Sequence, residues 1–148
     1  MQVTLATPED IPEFCELLAI LFSQETEFAP DPTKQAKGLE AILADPSVGL
    51  ILVLKAEGEI IGMVTLLFTI STFLGSQVAL LEDMIIRPAH RGKGAGTLLL
   101  QVAIQIASER GCRRITLLTD GSNAKAKAFY QRRGFVESSM IPYRLILP

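Results

Sequence analysis

The sequence predicts an α/β fold with a mixed, mostly antiparallel sheet, and three observations carry the prediction. Apolar runs with strand character, Leu50 to Leu54 and Ile60 to Ile70, flank a turn containing Glu57 and Gly58, which is a hairpin signal. A further apolar run, Val78 to Ile86, passes through a glycine-rich turn into an amphipathic stretch, Thr97 to Glu109. Beyond Gly111, the run Arg113 to Thr119 again has strand character, so strand, helix and strand form a parallel crossover unit.

The remaining elements follow from local punctuation. Val3 to Ala6 reads as a short strand. Thr7 and Asp10 have the spacing of a capping box with Pro8 at the first helical position, and Ile11, Phe14, Leu17, Leu18 and Leu21 recur at helical spacing. Asp31-Pro32 opens a second helix with Ala36, Leu39, Ile42 and Leu43 on one side, stopped at Asp45-Pro46. Between these helices, Phe22 to Pro30 reads as a loop carrying Glu25 and Glu27. A last helix starts near Asn123 and ends at Gly134, after which Phe135 to Ser139 and Tyr143 to Leu147 are expected to close the sheet.

Length and composition bound the function. A chain of 148 residues with 49% hydrophobic content suits one domain, residues 1–148, around one core. Cys15 and Cys112 are far apart and lack CxxC or His spacing, so they read as reduced, buried thiols rather than a disulfide or zinc framework, and no metal site is expected. The start, Met1 to Asp10, has no basic segment and carries Glu9 and Asp10, unlike a signal peptide, which points to a cytoplasmic protein. Ile60 to Leu81 runs 22 residues without a charge, long enough to cross a bilayer. Its polar residues, Thr69, Ser71, Thr72, Ser76 and Gln77 among them, crowd the middle and the later part, so two strands joined by a turn explain it better than a membrane helix.

Net charge is −2, but residues 1–86 hold 13 acids and 3 bases while residues 87–148 hold 3 acids and 11 bases. The bases are scattered, with no run of five and no basic-aromatic stripe, so a nucleic-acid partner is not expected. The acidic half favours a cationic ligand by attraction.

The chemical signal is Arg91-Gly92-Lys93-Gly94-Ala95-Gly96, set where a strand hands over to a helix. Glycines let the backbone approach a ligand closely, and the first N–H groups of a helix have no intrahelical partner. Such a turn suits a phosphate or pyrophosphate. A P-loop is excluded, because Gly96 is followed by Thr97 and Leu98 rather than by Lys and Ser or Thr. A dinucleotide fingerprint lacks its third glycine, with Thr97 or Leu99 standing there.

The segment "ALLEDMIIRPAHRGKGAGTLLL" resembles the arginine-x-x-glycine-x-glycine region of the GNAT N-acetyltransferases. "NAKAKAFYQRRGF", with Asn123, Ala126, Phe129, Tyr130, Gly134 and Phe135, looks like that family's later helix. The resemblance implies a central mixed sheet, splayed in its middle and flanked by about four helices, with acetyl-CoA as co-substrate. It implies that backbone groups of Met84, Ile85 and Ile86 pair with the pantetheine arm, that Arg91, Gly92, Lys93, Gly94, Ala95, Gly96 and Thr97 hold the pyrophosphate, and that Asn123 and Ala126 line the arm. The acidic half and the Glu25 and Glu27 loop, which with the segment from Ser71 to Gln77 is expected to wall the acceptor side, point to a small cationic amine as acceptor; a homodimer is left open, with neither nucleic acid nor membrane as partner.

An alkylamine is mostly protonated at neutral pH and must lose a proton before it attacks a thioester, while the leaving thiolate is helped by a proton donor. Tyr130 is the expected acid, since Asn123, Ala126 and Tyr130 share one helical face; Phe129 reads as a core aromatic. Glu82 and Asp83 are adjacent on a strand and are expected to face opposite ways, so only one would reach the thioester. The "LED" run resembles the corresponding strand of polyamine and amino-sugar acetyltransferases, which favours Glu82 as the base. His90, the only histidine, lies in the turn aimed at the cofactor phosphates and is not the expected catalyst. The expected reaction is direct attack by a primary amine in a ternary complex. A protein or peptide acceptor, or a non-catalytic acyl-CoA-binding module, are the alternatives; the latter would need neither Tyr130 nor Glu82.

Overall fold

A computed structural model describes residues 1–25 and 27–148; Thr26, in the loop after the first helix, lies outside the described residues. The described chain falls into two compact units, Met1–Leu118 and Thr119–Pro148.

The first unit is a five-stranded sheet with three α-helices. Strand β1 (Gln2–Leu5) is followed by a short 3-10 turn, Pro8–Asp10, and helix α1 (Ile11–Ser23). The turn is held as the sequence implies, with the Asp10 carboxylate accepting from the Thr7 backbone N–H at 2.9 Å. Helix α1 runs two residues further than expected, taking Phe22 and Ser23 out of the anticipated loop, and the Ser23 hydroxyl donates to the Ala19 carbonyl at 2.6 Å. Helix α2 (Pro32–Ala44) starts at the Asp31 cap, whose carboxylate accepts from the Lys34 N–H at 3.2 Å.

Strands β2 (Gly49–Ala56), β3 (Glu59–Ser71) and β4 (Ser76–Ile86) form an antiparallel meander. The first hairpin turns through Glu57 and Gly58, with φ of 51° and 81°, the left-handed pair that a tight two-residue turn requires. The uncharged stretch from Ile60 to Leu81 is therefore two strands and a turn, and no helix of the described residues is long and apolar enough to cross a membrane. Helix α3 (Ala95–Glu109) leads back to β5 (Ile115–Leu117), which pairs in parallel with β4, and the strand order is β1-β2-β3-β4-β5.

Burial explains the layering. Phe14, Leu17, Leu18 and Leu39 from α1 and α2 pack with Ile51, Val53, Met63 and Ile85 of the sheet in one cluster. The alternate strand positions, Leu52, Leu54, Val64 and Leu66, are also buried and so belong to the opposite face, the side available to the buried Leu99, Leu100 and Ala103 of α3. A sheet buried on both sides accounts for the near-continuous apolar runs read in the sequence.

The second unit holds helix α4 (Ala124–Gln131). Its start is the Asn123 cap, whose side-chain oxygen accepts from the Ala126 N–H at 3.0 Å. The expected closing strands, Phe135 to Ser139 and Tyr143 to Leu147, are not formed. Val136 and Tyr143 are about nine-tenths exposed there. Local alternation gives a segment strand character, but a strand exists only when its N–H and C=O groups meet a neighbouring ladder, and Pro142 and Pro148 bring no N–H of their own. The cysteines are both free thiols, but half-buried rather than buried, and desolvation raises the pKa of each.

Candidate active site

The centre of the site is an irregularity in β4. Glu82 pairs with Thr65 of β3, but the next paired residues are Ile85 and Met63, so Asp83 and Met84 together stand against Val64. One extra residue on β4 is a β-bulge, and Asp83 takes it up with φ of 51°. Asp is among the residues that enter this left-handed region most readily.

The bulge corrects one sequence expectation. Strict alternation would send Glu82 and Asp83 to opposite faces, yet both line one cavity of about 380 Å³. The bulge breaks the two-residue period, and the neighbouring carboxylates converge. Burial, then the charges of Glu82 and of Glu25, push the Asp83 carboxyl up to about 6. Glu82 is exposed. The loop acid Glu25, singled out in the sequence for its charge, thus acts on Asp83.

The rest of the cavity comes from α1, α2 and the loop joining them: Leu18, Phe22, Phe28, Leu39 and Ile42 give an apolar wall, with Asp31, Lys34 and Gln35 among them. Phe22 and Phe28 lie against each other, ring centroids 5.6 Å apart. Sequence reasoning put the acidic loop on the acceptor side but missed its apolar residues and Gln35; the signal available was the aromatic pair flanking the acidic loop. A mostly apolar cavity ending in carboxylates suits an organic amine.

Beyond Glu82, β4 continues alone on the side of β5. The parallel ladder ends at Leu81 paired with Leu117, while Met84, Ile85 and Ile86 extend past it, half-buried in the first case and buried in the other two. The ladder shared with β5 thus stops short of the three residues that the resemblance assigns to the pantetheine arm. Past Ile86 the chain makes a 3-10 turn, Pro88–His90, and enters the glycine turn. Arg91 Nε donates to the Ile86 carbonyl at 2.8 Å and Lys93 Nζ to the Ala89 carbonyl at 3.3 Å, so both cations brace the turn.

Gly92 and Gly94 have φ of 74° and 84°, conformations that disfavour any side chain. A Cβ at either would meet no heavy atom within 4 Å, so the backbone is open on that side. The α3 ladder begins with the Leu98 N–H donating to the Gly94 carbonyl at 3.0 Å, leaving the N–H groups of Ala95 and Gly96 without an acceptor inside the helix. The residues present therefore fit an anionic group. Thr97 follows on the first turn of α3, half-buried.

The family model described as Acetyltransferase (GNAT) family matches residues 12–135. The chain belongs to this family. It is an N-acetyltransferase of the GNAT type, a family that generally uses acetyl-CoA. The uncharacterized N-acetyltransferase YhfO of Bacillus subtilis is 33% identical over 135 residues, 88% of this chain and 90% of the relative. The aminoalkylphosphonate N-acetyltransferase of Salmonella typhimurium is 29% identical, over 90% of this chain and 83% of that one. Among solved structures, an integron cassette protein from the Cole Harbour salt marsh metagenome superposes with a TM-score of 0.86 at 28% identity, covering 99% of this chain and 91% of that one. A possible acetyltransferase from Clostridium difficile reaches 0.88 over 99% and 97% of the two chains at 17% identity, a likeness of fold.

The second unit carries the other expected site residues of this GNAT chain. Tyr130 is half-buried on α4, with Phe129 and Phe135 rings edge-on to it at 5.2 and 5.6 Å between centroids. Burial pushes its phenol up to about 12. Phe129 also carries the Arg133 guanidinium 3.9 Å over its ring. Asn123, expected to face the pantetheine arm, spends its side-chain oxygen on capping α4, a structural role that the Asn-x-x-Ala spacing also announces. Among the described residues, no group of three or more His, Cys, Asp or Glu side chains is arranged to hold a metal.

Proposed function

We propose that this enzyme transfers the acetyl group of acetyl-CoA to the primary amine of a small cationic molecule, by direct attack within a ternary complex. The observation that carries the reading is the β4 bulge, which turns two carboxylates into one mostly apolar cavity beside a strand-turn-helix suited to a pyrophosphate. The similarity to an aminoalkylphosphonate N-acetyltransferase supports a small amine over a peptide acceptor.

In this reading the backbone of Met84 to Ile86 and the turn from Arg91 to Thr97 hold acetyl-CoA, which supplies an activated acetyl thioester. Asn123 and Ala126 belong to the cofactor side by the same resemblance. Asp83 and Glu82 receive the ammonium and take its proton. The sequence favours Glu82 as the base, whereas electrostatics favour Asp83: a carboxyl titrating near 6 is a stronger base than an ordinary carboxylate and is still ionised at neutral pH. The amine nitrogen then forms its bond to the acetyl carbon as the carbon–sulfur bond breaks. The Tyr130 phenol, held protonated at neutral pH by its raised pKa, gives its proton to the sulfur.

The test is acetyl-CoA turnover over a panel of polyamines, aminoalkylphosphonates, amino sugars, arylalkylamines and lysine peptides, with N-acetylated product identified by mass. Efficient acetylation of peptides alone would overturn the acceptor assignment.

A further inference from the structure

Among the described residues, Gln35 is the polar side chain of the cavity that the fold buries and leaves unsatisfied. It lies on α2 one turn from the Asp31 cap, with its backbone N–H donating to the Asp31 carbonyl at 2.9 Å. The residue is 8% exposed, and neither Oε1 nor Nε2 of its carboxamide has a hydrogen-bond partner among the described residues. Buried polar groups are nearly always paired, and an unpaired one calls for an explanation. Here Gln35 shares the wall of the cavity with Phe22, Phe28 and Leu39, and with Glu82 and Asp83.

A carboxamide both donates and accepts, so its best partner does the same. A hydroxyl or an amide satisfies it. An ammonium can only donate and a phosphonate or phosphate can only accept, so each leaves one atom of Gln35 unpaired. Phe22 and Leu39 favour an apolar acceptor body, since a charge set against them would lose its hydration, while Asp31 and Lys34 line the same cavity.

We infer that Gln35 is the specificity-determining residue of this cavity, hydrogen-bonding a neutral hydroxyl or amide group on an acceptor amine whose body is apolar and whose ammonium meets Glu82 and Asp83. The inference rests on the proposed acetyl-acceptor role of the cavity. A site built to pair a hydroxyl discriminates against the analogue that lacks it, since the buried protein group is then left without a partner.

The experiment is calorimetric binding of phenethylamine, its ring-hydroxylated form tyramine and its chain-hydroxylated form 2-amino-1-phenylethanol to the full chain and to Gln35→Leu and Gln35→Met. Spermidine and 2-aminoethylphosphonate serve as the donor-only and acceptor-only arms, and thermal melting checks that each variant folds. At least one hydroxylated amine should bind roughly tenfold more tightly than phenethylamine, the scale of one well-made hydrogen bond. Both variants should lose that preference, the affinities for hydroxylated and plain amines converging, while melting no lower. An unchanged preference in a folded variant, tighter binding of spermidine or 2-aminoethylphosphonate than of every hydroxylated amine, or no binding of any amine overturns the inference. Acetylation is scored separately. Gln35-dependent binding without acetylation defeats the proposed reaction alone, and acetylation with a Gln35-independent ratio defeats this inference alone.

Discussion

Asp83 and Glu82 are neighbours in sequence that open on the same cavity, because Asp83 sits at φ 51° on a bulge opposite Val64. Burial, then the charges of Glu82 and Glu25, raise the pKa of Asp83 from 3.8 to about 6. A negative pair of this kind attracts a cation and includes one member tuned toward neutral pH.

That shift has a sign for stability. Between about pH 4 and pH 6 the native state keeps a proton on Asp83 that the unfolded chain has released, so stability falls as pH rises through this window and stays lower above it. Asp83→Asn should therefore be more stable than the parent at pH 8, by at most on the order of 3 kcal/mol, with the gain vanishing near pH 3. Urea unfolding at the two pH values measures it. A variant destabilised equally at both would show that the raised pKa has no part in the balance.

The same titration should appear in catalysis. If Asp83 takes the proton, kcat/KM rises as pH passes through about 6, and Asp83→Asn abolishes that limb. Loss of the limb in Glu82→Gln, with Asp83→Asn retaining it, would return the role to Glu82. Glu25→Lys removes one of the three causes of the shift and should move the limb to lower pH, more at low salt than at high.

Gly94, like Gly92, holds a left-handed angle that disfavours a side chain. With φ at 84°, a side chain there costs roughly 1–2 kcal/mol, and a carboxylate would also occupy the anion's space. Gly94→Glu should lose measurable CoA affinity in calorimetry while keeping a cooperative melt. Affinity equal to the parent's would remove the turn from the cofactor site.

Tyr130→Phe keeps the edge-on ring contacts to Phe129 and Phe135 and deletes only the phenol hydroxyl. As the general acid, its loss should lower kcat by roughly 10²-fold or more with little change in acetyl-CoA affinity. Retention of more than half the turnover would make Tyr130 a packing residue.

Gly62 reports on packing beside the bulge. A Cβ there would lie 2.5 Å from Ile86 Cδ1 and 2.9 Å from the Ile85 carbonyl. Gly62→Ala should cost roughly 1–3 kcal/mol and loosen the strand expected to carry the pantetheine arm, raising the KM for acetyl-CoA. An alanine variant as stable as the parent, with an unaltered KM, would mean that β3 and β4 can part without consequence.

The sequence made the meander, the crossover through α3 and the glycine turn legible because each is a local pattern: a Glu57-Gly58 turn, apolar runs of strand length, Gly94 before an amphipathic stretch. The bulge was not legible. It needs the register of β3 against β4, which no stretch of either strand alone encodes, and without it Glu82 and Asp83 must be read as facing apart. The cavity wall was hidden for a related reason, since Phe22, Phe28 and Gln35 come together only when α1 and α2 pack on the sheet. Phe135 to Leu147 show the opposite failure, where strand-like alternation is present but no ladder takes it up.

The central claim is acetyl transfer to an amine in one complex, and initial-rate kinetics with both substrates varied test it most directly. Double-reciprocal lines that intersect, with one N-acetylated amine formed per CoA released, are the predicted result. Parallel lines with an acetylated enzyme isolated in the absence of amine, or CoA binding without acetylation of any amine, would contradict it.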